Sequence, residues 1–193
     1  MKWNVQRLIA LLLLIALSVG FGFAYDATAT AVEKNRYPRP EWLESAVQVR
    51  AEKYAVPEAM IWAVLRNESR FESNAVSEDG RIGLMQLTPD RFHFVATEIM
   101  EIDSPDAGLL YDPATNLEYG VAYLSYLYRQ YGVWDLVFAA YCAGTGTVDA
   151  WLTSPAYTDE NGLLIEIPDR DVAQYVKKMN KAVDLYRALY YQP

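Results

Sequence analysis

The chain is 193 residues long, room for one compact domain behind a targeting segment, and 52% hydrophobic against 22% charged, which favours a packed core over disorder. A formal net charge of −8 argues against nucleic acid or anionic lipid as a main partner, since both recruit a basic patch. A single Cys (Cys142) and a single His (His93, read as a packing or helix-surface residue) exclude an intramolecular disulfide and a cysteine zinc cluster and argue against a histidine metal centre; no metal or cofactor is expected, and proton chemistry falls to carboxylates.

Lys2 and Arg7 precede an uncharged apolar run from Leu8 to Ala24, the order of an export signal. Small residues at cleavage spacing follow in Ala27-Thr28-Ala29 and Ala29-Thr30-Ala31. The run is long for a cleaved signal and short of the ~20 residues of a comfortable span. Residues 1–24 therefore read as a signal peptide or a membrane anchor, and the protein as extracytoplasmic, secreted or anchored through residues 8–24. Pro38 and Pro40, amid Lys34, Arg36 and Arg39, make 25–40 an extended linker. The folded domain is expected over 41–193.

Trp42, Leu43, Ala46, Val47 and Arg50 recur at helical spacing, which predicts a helix over 41–54. Pro57 opens a second, and Glu58 suits the positive end of its dipole. Its apolar face carries Ile61, Val64 and Leu65, and Glu68 continues that stripe instead of facing solvent. The stretch 74–83 is turn-rich, 90–100 is a further helix and 103–108 a loop. Asp112-Pro113 caps and starts a helix that Gly132 ends, with Leu117, Val121, Leu124, Tyr128 and Tyr131 on its buried face. Asp135 opens a short helix through Phe138 and Tyr141, closed by Gly144 and Gly146 and followed by a loop with Pro155 and Gly162. The segment 163–167 is a short candidate strand. From Asp169 a last helix turns Val172, Tyr175, Val176, Met179, Val183, Tyr186 and Leu189 inward. The fold class is mostly α, in a single domain without internal repeats. Of the fifteen Tyr and five Trp, most are core residues and a few suit a groove for sugar rings, where an aromatic face and a polar tip are both used.

Glu68 is the residue with chemistry in it. Near a helix C-terminus the dipole disfavours an ionised carboxylate, and desolvation on an apolar face pushes the same way. Both raise its pKa from about 4.3, and a glutamic acid held protonated is the general acid that glycosidic cleavage needs. The alternative is a structural glutamate paired with Arg66 or Arg70.

Five motifs in order add to this: Glu68-Ser69 followed by Ala75-Val76-Ser77; Gly83-Leu84-Met85-Gln86; Asp112-Pro113 with Asn116, Gly120 and Tyr123-Leu124; Ala140-Tyr141-Cys142-Ala143-Gly144; and Ile167-Pro168 with Tyr175-Val176. Together, from about 55 to 190, they resemble the soluble lytic transglycosylases, relatives of goose-type lysozyme. That resemblance implies a lysozyme-like helical domain acting on peptidoglycan glycan strands between N-acetylmuramic acid and N-acetylglucosamine. It implies that Glu68 protonates the glycosidic oxygen and then, as carboxylate, takes the proton of the muramyl C6 hydroxyl, leaving a 1,6-anhydro end. The substrate's N-acetyl group supplies the help that a second carboxylate gives elsewhere. By the same resemblance Ser69, Gln86, Met85, Tyr141 and Cys142 line the substrate groove, and the Tyr175 hydroxyl lies near the acid. Three positions depart from the family pattern: Cys142 stands for Asn, Arg81 for a small residue, and Asp171 for Glu. Two other readings stay open: a hydrolase of the goose-lysozyme kind, and a wall-binding or assembly protein without activity.

Overall fold

The computed structural model describes residues 5–103 and 106–191. Two units are distinct in it, one ending at Pro38 and one beginning at Arg39.

In the first unit, helix α1 runs Val5–Arg36. The segment from 25 to 36 is thus helical, not the extended linker expected. No glycine or proline interrupts it, alanine recurs through it, and Pro38 then disfavours helix in the residue before it. Leu13, Leu14, Leu17 and Phe21 are exposed on α1. Among the described residues no helix is long and apolar enough to cross a membrane.

The second unit is helical. After α2 (Glu41–Tyr54) comes α3 (Glu58–Glu68), in which every residue from Ala59 to Leu65 is buried. A helix apolar all round needs neighbours on all sides, and α3 has them: α2 lies on one flank and α8 (Arg170–Tyr190) on another. The expected helix over 90–100 is α4 (Pro89–Phe94) continued by a π-helical turn, Val95–Ile99. Helix α5 (Pro113–Tyr131) begins where Asp112 Oδ2 accepts from the Thr115 N–H at 2.8 Å and ends at Gly132, left-handed with φ 69°. Tyr128, expected inside, is 39% exposed and stacks on Trp134 with ring centroids 4.7 Å apart. Helix α6 (Trp134–Ala143) packs against α5 and α8. The Gly144 kink, φ 88°, does not lead into a loop but into α7 (Thr145–Thr153), held on α6 by buried Val148 and Trp151. The candidate strand 163–167 is absent: among the described residues only isolated bridges occur, here Thr158 with Leu164. Asp169 caps α8, accepting from the Asp171 and Val172 N–H groups.

Candidate active site

Helix α3 delivers Glu68 at its last turn. The chain leaves at once, because Arg70 (φ 53°) and Phe71 (φ 69°) are both left-handed. Two such non-glycine residues in succession cost about 1–2 kcal/mol each. Ser69 ties the turn: its hydroxyl donates to Leu65 O at 3.2 Å and accepts from the Phe71 N–H at 3.1 Å. Ser69 is thereby engaged with backbone.

The Glu68 side chain is only 5% exposed. Its two oxygens meet different groups. Tyr175 on α8 donates its hydroxyl to Oε1 at 2.5 Å, and the Arg81 guanidinium lies 3.7 Å from Oε2. Burial raises the carboxyl pKa above its ordinary value, against the opposing pull of the Tyr175 hydrogen bond and of Arg81, Arg91 and Lys178. The Tyr175 phenol is itself pushed well up, first by burial and then by the Glu68 charge, so it stays a donor.

Beside the acid, the loop from Val76 to Leu87 is folded on one buried amide. Asn116, with no exposed surface, accepts from the Met85 N–H at 2.8 Å and donates to Ile82 O at 2.8 Å and Leu110 O at 2.9 Å. A Cβ on Gly83 would come within 2.2 Å of Asn116 Nδ2, and its φ of 79° already demands glycine. Gln86, left-handed at φ 49°, turns its amide back to donate to Ala75 O at 3.1 Å and Gly83 O at 2.9 Å. Met85 is fully buried, its sulfur 2.3 Å from where a Gly120 Cβ would sit; that is how closely α5 approaches. Tyr141 on α6 donates to Met85 O at 2.6 Å. The Arg91 guanidinium lies 4.9 Å from the Tyr123 ring centre and 5.1 Å from that of Tyr141.

Cys142 is a free, exposed thiol. Partial burial of its sulfur, then the nearby Glu68 charge, raise its pKa, which keeps it a neutral thiol. Of the residues singled out in the sequence, Tyr175 touches the acid and Cys142 lies in its electrostatic field. Ser69, Met85, Gln86 and Tyr141 hold the backbone that frames it. Sequence reasoning missed Arg91, and it marked Arg81 only as a departure; no periodicity signals either contact. Asn116 had a signal, an amide on the inward side of a helix whose neighbours are Leu117, Val121 and Leu124. Among the described residues no cluster of His, Cys, Asp and Glu is arranged to hold a metal ion.

Known proteins resemble this chain in sequence and in fold. The Transglycosylase SLT domain model matches residues 45–163. The soluble lytic murein transglycosylase of Escherichia coli K12 is 35% identical over 138 residues, covering 68% of this chain and 20% of its own length. Membrane-bound lytic murein transglycosylase C of Yersinia enterocolitica is 30% identical over 165 residues, covering 73% of this chain and 45% of its own. Among solved structures, the 70 kDa soluble lytic transglycosylase of Escherichia coli superposes with a TM-score of 0.72 at 28% identity, over 83% of this chain and 26% of that one. An inactive mutant of the Pseudomonas aeruginosa lytic transglycosylase gives 0.68 at 29% identity, over 80% and 25%. The chain thus spans from a fifth to under half of these relatives. With the family match covering more than half of it, the chain belongs to the transglycosylase SLT domain family.

Proposed function

We propose that the domain is a peptidoglycan lytic transglycosylase, cutting the β-1,4 bond between N-acetylmuramic acid and N-acetylglucosamine and closing the muramyl end as a 1,6-anhydro ring. The observation that carries this reading is the Glu68 carboxyl, buried at the mouth of α3 with its pKa raised and one oxygen fixed by Tyr175. A carboxyl held protonated can give its proton to the glycosidic oxygen as the C1–O bond breaks. The substrate's N-acetyl oxygen bonds to C1 and carries the charge. Glu68, now a carboxylate, takes the C6 hydroxyl proton as O6 attacks C1 and the N-acetyl oxygen leaves. The acid is regenerated, and no water is consumed.

In this reading Tyr175 orients the acid. Cys142 faces the glycan where the family has an amide. Ser69, Met85, Gln86 and Tyr141, all buried, brace the backbone beneath the sugar groove. The substrate lies outside the cytoplasm, which agrees with the export pattern of Lys2, Arg7 and the run to Ala24. We propose export, with the N-terminal segment serving as a signal or as the anchor. Mass spectrometry of the fragments released from purified peptidoglycan tests the chemistry. Anhydro-muramyl ends support it, reducing ends would point to a water-using hydrolase, and retention on the wall with no soluble fragments would point to a binding protein.

A further inference from the structure

Arg81 is mounted with unusual care for a residue in a surface turn. Its backbone N–H donates to the Ser77 hydroxyl at 2.9 Å and its carbonyl accepts from the Ser77 N–H at 2.9 Å. Its Nε and Nη2 both donate to Asp79 Oδ2 at 2.9 Å, and the Ser77 hydroxyl reaches the other Asp79 oxygen at 2.5 Å. The side chain is thereby fixed at its base with one nitrogen left over. That nitrogen, Nη1, points at Glu68 Oε2 from 3.7 Å, too far for a direct hydrogen bond and near enough for strong charge interaction.

We propose that Arg81 is a positioning residue that stabilises the carboxylate form of Glu68 between its two proton transfers. This rests on the reading of Glu68 as acid and then base. Burial alone favours the first transfer and opposes the ionised state that the second needs. Tyr175 relieves that at Oε1, and Arg81 does so at Oε2 while leaving that oxygen free to hold the mobile proton. The other charged or titratable groups facing Glu68 are Lys178 on α8, Arg91 on α4, and Tyr141 and Cys142 on α6. Lys178 is exposed to solvent, and Arg91 sits against the Tyr123 and Tyr141 rings. Among the described residues Arg81 forms the ion pair with the acid.

The test is the pH profile of fragment release by the full chain, with Arg81→Ala, Arg81→Gln and Arg81→Lys beside the wild type and Glu68→Gln. Release requires protonated Glu68, so the alkaline limb reports its pKa. Removing the charge should move that limb upward by about one pH unit in both neutral variants, and Arg81→Lys should return it towards the wild-type position. Arg81→Gln keeps a donor for Asp79, and the backbone pairing with Ser77 needs no side chain, so the turn persists. Equal loss of rate at every pH with an unmoved limb would overturn the proposal and leave Arg81 as a turn former. The carboxyl carbon resonance of Glu68, titrated in ¹³C-glutamate-labelled protein, reads the same shift without catalysis. Activity surviving in Glu68→Gln would therefore sink the proposed reaction, whereas an unshifted carboxyl titration would sink the role of Arg81.

Discussion

The Tyr175 hydroxyl and Glu68 Oε1 are 2.5 Å apart across the contact between α8 and α3. The bond favours the carboxylate and leaves the other oxygen, Oε2, to the Arg81 guanidinium 3.7 Å away. Tyr175→Phe keeps the ring and removes the donor. A hydrogen bond to a charged group contributes about 1.5–3 kcal/mol, so fragment release should fall by about tenfold or more, and the alkaline limb of its pH profile should move up. Full activity with an unmoved limb would show that the contact is structural.

Glu68→Gln removes the transferable proton and keeps the shape. Release should drop by about 10²-fold or more, the scale of lost acid–base catalysis, with an unchanged circular dichroism spectrum. The same variant reports on stability. The folded pKa of Glu68 is raised by burial, so the folded state holds its proton more tightly than the unfolded state. The resulting stability is present below the ordinary glutamate range and is lost as pH rises through the folded pKa. Glu68→Gln carries no such penalty. Its melting temperature relative to wild type should therefore rise between acid and neutral pH, and a constant difference would contradict the buried-acid account.

Asn116→Ala deletes three hydrogen bonds at once and orphans the Met85 N–H with the carbonyls of Ile82 and Leu110. Each buried orphan costs about 1–3 kcal/mol. Chemical denaturation should show a loss of ~3 kcal/mol or more, and release should fail because the Gly83–Gln86 turn loses its form. A loss under ~1 kcal/mol would mean that the loop holds without the amide.

Cys142→Asn restores the amide that the family pattern carries. The position is exposed, so an added amide keeps water as a partner and the melting temperature should stay near that of wild type. Asn offers stronger hydrogen bonds than a thiol, and one more to the glycan should tighten binding by about 0.5–1.5 kcal/mol, read as a lower half-saturating peptidoglycan concentration. An unchanged value would remove position 142 from the groove.

The helices with clear spacing or punctuation are legible in the sequence: α2 by the recurrence of Leu43, Ala46, Val47 and Arg50, α3 by Pro57, α5 between Asp112 and Gly132, α8 from Asp169. So is the suspicion attached to Glu68, because a carboxylate in line with Ile61, Val64 and Leu65 is turned away from the solvent that would best hold its charge. Helix α7 is not, since Thr145-Gly146-Thr147 has poor helix propensity and forms only because Val148 and Trp151 pack beneath it. The helical 25–36 stretch is hidden by prolines that lie beyond it. The inner arrangement of the site is hidden for another reason. Ser69, Gln86 and Tyr141 carry polar groups suited to a ligand, yet each spends a bond on backbone, and spacing cannot tell a side chain that faces a sugar from one that braces a loop. The approach of Arg81 to Glu68 likewise depends on a turn geometry that composition does not encode.

The packing of α3 on α8 also sets an order in time. Glu68 and Tyr175 are 107 positions apart, and a chain emerging from the ribosome displays the carboxyl long before it displays the phenol. Contacts so distant in sequence close late, after the local helices have formed. The contact between α3 and α8 therefore closes only once α8 has been synthesised, and any chain cut short before α8 carries the Glu68 carboxyl without the Tyr175 hydroxyl that binds it.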